Sequence, residues 1–140
     1  MTEGQYIQRL KDLWPRDSDA SLEAIALADT SVSAFPGSAR LWCIRGSLIQ
    51  LGPEQCPHPL DEALASYRRA VELDPEFAKA WEELGHYYDA VLDDEGGAEP
   101  FFERARKLRE RKAELGAPPN GGPATPFGSA GVTEGPPSVS

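Results

Sequence analysis

Apolar side chains recur along the first 116 residues at intervals of three and four, with charged and small polar residues between them. At 3.6 residues per turn, that spacing returns successive apolar residues to one face of a helix. Ile7, Leu10 and Trp14 mark one such face, and Leu22, Ile25, Ala26 and Val32 broadly mark a second. Leu41, Trp42, Leu48 and Leu51 mark a third, and Leu64, Tyr67 and Val71 a fourth. Trp81, Leu84, Tyr88 and Leu92, then Phe102, Ala105 and Leu108, bring the predicted helices to six. No stretch makes a convincing strand, so the expected class is all-α. The breaks have mechanisms. Trp14-Pro15-Arg16-Asp17 stops the first helix, and Pro36-Gly37-Ser38 supplies a turn followed by a serine N-cap. Asp74-Pro75-Glu76 places a capping Asp before a proline at the first helical position, where a missing N–H costs nothing.

The pattern ends abruptly at Ala117. The 24 residues from there to Ser140 hold six Pro and five Gly, and Glu134 is the sole charge. Such a segment has little apolar surface to offset its ordering entropy, so 117–140 is expected to be a disordered tail and 1–116 the folded domain. The 140-residue chain carries a net charge of −9. An acidic chain repels phosphate before contact, which argues against nucleic acid and anionic membrane surfaces as partners. No run approaches the roughly 20 apolar residues a bilayer span requires, and the charged opening residues do not read as a signal peptide. The expected address is the cytoplasm.

A shift of 39 residues superposes Leu22–Gly46 on Asp61–Gly85 and matches Ala24 with Ala63, Pro36 with Pro75, Trp42 with Trp81 and Gly46 with Gly85. The matches fall on small residues, a turn proline and an aromatic, the positions that a packed helix pair constrains. The stretch EALASYRRAVELDPEFAKAWEELGHYY closely resembles a tetratricopeptide repeat, a helical hairpin of about 34 residues. Trp81, Leu84, Gly85 and Tyr88 follow its first-helix pattern, and Ala63, Tyr67, Ala70 and Pro75 its second. The resemblance implies a right-handed α-α superhelix of about three hairpins, roughly 4–37, 38–76 and 77–115. Gly46 and Gly85 would allow close helix approach against Ala63 and Ala98, with Trp42, Trp81, Tyr67 and Phe102 filling the spaces. This chain departs from the pattern at Lys11, where Gly is usual, and at Arg45, where Leu is typical. About five extra residues in LGPEQCPHPLDEA must form a loop. Gly96, Gly97 and Pro100 leave the start of the last helix anywhere from Asp94 to Pro100.

The resemblance also implies use as a non-catalytic adaptor whose first helices line a concave groove for a peptide or partner helix. Carried over repeat by repeat, the groove positions are Arg40, Cys43, Ser47 and Gln50, then Lys79, Glu82, His86 and Asp89. Ten acidic residues and one Lys lie between Glu72 and Glu99. With Glu82 and Asp89 facing the groove, the expected partner carries Lys or Arg beside apolar anchors. The carboxylate clamp of the family's co-chaperones is disfavoured, since Cys43, Ser47 and Glu83 occupy its positions. Alternatives are a basic strip at Arg104, Lys107 and Arg111, and a self-associating module. The oligomeric state is left open.

Catalytic and metal chemistry is not expected. Cys56 and His58 alternate with prolines in CPHP, poor geometry for two ligands, and no second pair completes a set of four. Neighbours in His86-Tyr87-Tyr88-Asp89 point in different directions on a helix. Gly96-Gly97 lacks the lysine and the preceding strand of a phosphate loop. No cofactor is implied, and an enzyme, a small hydrolase included, is the least favoured reading.

Overall fold

The computed structural model describes residues 1–116. They form six helices and no strand: α1 (Glu3–Asp12), α2 (Leu22–Ala34), α3 (Ala39–Gln50), α4 (Asp61–Leu73), α5 (Ala78–Ala90) and α6 (Glu95–Gly116). The expected tail at 117–140 lies outside the described residues. The chain divides into two compact units, Met1–Leu108 and Arg109–Ser140. Of the second, the described residues 109–116 are helical. The core and the cavity discussed below belong to the first.

Local chemistry sets most helix starts. Thr2 and Gln5 form a reciprocal capping box on α1, and Ser21 accepts from the Ala24 N–H at the start of α2. Ser38 caps α3 as expected, accepting from the Leu41 N–H at 3.2 Å while its hydroxyl donates to Glu3 Oε2 at 2.5 Å. Asp74 does something other than cap α5. It closes α4, its N–H reaching the Ala70 carbonyl, and its carboxylate accepts from the Glu76 N–H. The turn then spends three more residues before α5 begins at Ala78, so Asp74-Pro75 shapes a turn and not a helix end. α6 begins at Glu95 with the Asp94 carboxylate accepting from the Gly97 N–H, and Pro100 lies inside the helix.

Helices consecutive in sequence pack together from α1 to α5, and α3 also touches α5. One apolar cluster joins α1, α2 and α3 through Leu10, Ile25, Leu41 and Leu48. A second joins α3, α4 and α5 through Ile49, Ala63, Tyr67, Ala80 and Leu84. Trp42 and Cys56 pack against both. Two helical glycines, Gly46 of α3 and Gly85 of α5, make room for rings. A Cβ on Gly46 would lie 2.7 Å from Tyr67, and one on Gly85 would lie 2.6 Å from Phe102.

Several expected core positions are placed differently. α1 ends at Asp12, so Trp14 leaves its face and is 37% exposed. Leu22, Leu51 and Leu92 sit at or beyond helix ends and are exposed, as is Ala26. Tyr87 rather than Tyr88 is the buried tyrosine of α5. Tyr88 is half-buried, its ring packed on Phe101 and its hydroxyl accepting from Arg68.

Arg45 occupies its leucine-like position by building a polar network. It is 8% exposed. Its Nε donates to Asp29 Oδ1 at 2.9 Å, Nη1 to Ser66 Oγ at 2.6 Å and Nη2 to Glu62 Oε1 at 3.1 Å. His58, from the ten-residue connection 51–60, lies 2.7 Å from the other oxygen of Asp29. The predicted loop is present, and its histidine is tied to the first hairpin.

Candidate functional site

The first helices of the hairpins meet at one cavity of about 600 Å³, a size ordinary for a binding site. α3 supplies its central wall. Arg40, Cys43, Ile44, Ser47 and Gln50, with Leu51 just after the helix, line it at the three- and four-residue spacing of one helical stripe. α5 adds Lys79, Glu83 and His86, again one stripe. Lys11 and Trp14 come from the end of α1, Tyr67 from α4 and Phe77 from the turn before α5.

Polar groups inside are mostly satisfied. Ser47 Oγ donates to Glu83 Oε2 at 3.0 Å, and the Tyr67 hydroxyl donates to Gln50 Oε1 at 2.8 Å. Lys79 Nζ stands 3.5 Å from Glu83 and 3.6 Å from Glu82. Burial, and secondarily the Glu83 charge, pushes the Cys43 thiol up to about 12, with Lys79 opposing. At neutral pH that sulfur is a protonated packing group rather than a nucleophile. Burial also raises the Tyr67 hydroxyl above the ordinary tyrosine range, opposed by its hydrogen bond with Ser47.

Of the carried-over positions, Arg40, Cys43, Ser47, Gln50, Lys79 and His86 line this one cavity. Glu82 and Asp89 are not among its lining residues. The 39-residue offset explains why: Glu82 corresponds to Cys43 and Asp89 to Gln50. On α3, Cys43 packs in the cluster shared with α4 and α5 and Gln50 accepts from Tyr67, whereas beyond α5 no first helix of a further hairpin follows among the described residues. The acid that does line the cavity is Glu83, four residues after Lys79 on the same face. Sequence reasoning also passed over Lys11, Trp14, Ile44 and Leu51. The available signal for Trp14 and Leu51 was their position at helix ends, where an apolar residue loses its helical face.

Glu82, Glu83 and His86 bring their ligand atoms within 4.8 Å of one another. The Lys79 ammonium already stands against both carboxylates. The acid–base types near His86 therefore do come together, through Glu82 and Glu83 rather than through its chain neighbours. Glu103 pairs with Lys107 as its spacing suggests, and with Arg106 as well, while Arg104 lies over the Trp81 ring. Much of the basic strip's charge is thus engaged within its own hairpin.

Residues 60–89, covering α4 and most of α5, match the family model described as TPR repeat. Over 99 residues, 61% of this chain, the sequence is 28% identical to the anaphase-promoting complex subunit CDC27 of Saccharomyces cerevisiae. The chain spans only 12% of that relative's length. No solved structure matches. No helix among the described residues is long and apolar enough to cross a membrane.

Proposed function

This chain is a tetratricopeptide-repeat protein, and we propose that it is a non-catalytic adaptor holding a peptide or partner helix in the cavity between α1, α3 and α5. The observation that carries this reading is the cavity itself. α3 and α5 contribute one helical stripe each and the end of α1 adds Lys11 and Trp14, so that apolar Trp14, Ile44, Leu51 and Phe77 surround mostly satisfied polar groups. That mixture gives an apolar ligand surface to bury and polar groups to orient it. The similarity to a subunit of a multiprotein complex supports a scaffold role, and the protonated Cys43 thiol speaks against nucleophilic chemistry. A cytoplasmic address belongs to the same reading and is checked by imaging the tagged chain.

Replacing Ile44 with Trp fills the cavity from a half-buried position. Affinity capture with the full chain and with Ile44→Trp, both shown to be folded by circular dichroism, tests the proposal. Partners recovered by the first and lost by the second support it. Partners retained equally by both place the binding surface elsewhere. Self-association is the second reading, favoured by the half-buried aromatic stack of Trp81, Phe101 and Tyr88. Mass that rises with concentration in light scattering, and falls on Phe101→Ser, would select it.

A further inference from the structure

Although the chain is acidic overall, the cavity is lined by Lys11, Arg40 and Lys79 against one carboxylate, Glu83. That carboxylate is already engaged by Lys79 and by the Ser47 hydroxyl. Lys11 and Arg40, both exposed, make no ion pair with any described residue. The charge left uncompensated in the groove is therefore positive. This reverses the preference inferred from Glu82 and Asp89, which lie outside the lining.

The two unpaired cations stand at opposite ends of the groove's helices. Arg40 is in the first turn of α3, beside Lys79 and Phe77 at the start of α5. Lys11 is in the last turn of α1, near Trp14, and the corresponding end of α3 carries Leu51. From Arg40 to Leu51 the helix rises about 16 Å, at about 1.5 Å per residue. An extended chain covers that distance in about five residues, a helix in about eleven.

We infer that the groove takes an acidic–apolar protein segment, with Asp or Glu at both ends and a large apolar side chain between them. The end carboxylates pair with Lys11 and Arg40, and the apolar residue covers Ile44, Trp14 and Leu51. A basic segment would instead place its cations against Lys11 and Arg40 and would find Glu83 already neutralised. The inference rests on the groove being the binding surface.

Selection of random peptides of about 16 residues displayed on phage against the full chain tests it, with Ile44→Trp as the blocked-groove control. The expected result is enrichment of peptides with acidic residues about five or about eleven apart around an aromatic or aliphatic anchor. Synthetic copies should bind about tenfold more weakly to the folded double variant Lys11→Glu with Arg40→Glu, and severalfold more weakly as salt rises through physiological strength. Should reversal disturb the fold, Lys11→Gln with Arg40→Gln gives the same comparison. Enriched peptides that are basic or uncharged, yet lost on Ile44→Trp, overturn the acidic preference and leave the groove intact. Peptides that bind Ile44→Trp unchanged, or no enrichment at all, overturn both.

Discussion

A methyl group on Gly46 would meet the Tyr67 ring at 2.7 Å and the Ala63 carbonyl at 3.1 Å, and Tyr67 is fully buried. The ring would have to shift from its packed place, and the carbonyl is backbone. Gly46→Ala should therefore cost about 1–3 kcal/mol despite the better helix propensity of alanine. Gly37 is the control, because nothing lies within 4 Å of its missing Cβ. Gly37→Ala should stay within about 0.5 kcal/mol. Urea denaturation of the two variants decides it, and equal midpoints would mean that the close contact is absent in solution. The thiols give a second residue-scale contrast. With Cys43 pushed up to about 12, only about one thiol in ten thousand is ionised at pH 8. Alkylation of the native protein, mapped by mass spectrometry, should mark half-buried Cys56 well before Cys43. Labelling of Cys43 should accelerate only as pH climbs toward its raised value. The glycines were legible in sequence because chance seldom repeats a small residue at the same offset as a turn proline and an aromatic. The thiol's state was not, since it depends on what α5 places against it.

At the scale of the element, Arg45 shows where a repeat pattern misleads. A leucine position filled by arginine reads as degeneracy. In the structure the guanidinium links α2, α3 and α4 through Asp29, Ser66 and Glu62, and His58 joins through the same Asp29. Nothing in the spacing of Asp29, Arg45, His58 and Glu62 announces this, because partners on three helices and a loop meet only once the hairpins stack. Arg45→Ala should destabilise by about 1.5–3 kcal/mol, the range for hydrogen bonds to a charged group. The two acids remain partly exposed, so the loss should fall short of that for orphaning a deeply buried charge. Arg69→Ala removes an exposed i,i+3 pair and should change stability by less than about 0.5 kcal/mol. His58→Ala should mainly loosen the connection between α3 and α4, seen as faster amide exchange over residues 53–60. Unchanged exchange there would mean that the prolines alone hold the loop. α5 carries the companion lesson. Of its positions carried over from α3 by offset, Lys79 and His86 line the cavity and Glu82 and Asp89 do not, and no further hairpin follows α5 among the described residues to enclose them.

For the whole molecule, the order of the helices followed from period and repeat, whereas the set of charged residues that lines the cavity did not. Charge counted along the chain is acidic around α5, but the groove collects Lys11 and Arg40 from hairpins distant in sequence and leaves much of that acid outside. The same separation of composition from packing bears on where the folded unit ends. Among the described residues the last buried side chain is Leu108, and both apolar clusters are built from residues before α6 apart from Phe101. Ala117 begins the stretch that has one charge and eleven prolines and glycines. A chain cut after Gly116 should therefore keep the helical circular dichroism expected from the six helices and melt within about 3 °C of the full chain. For a domain of this size a shift of about 5 °C corresponds to about 1 kcal/mol. A larger fall would mean that residues beyond 116 dock on the helices. The groove is then the first place to look, and the peptides selected on the full chain should bind the truncated one more tightly, because a competing segment has been removed.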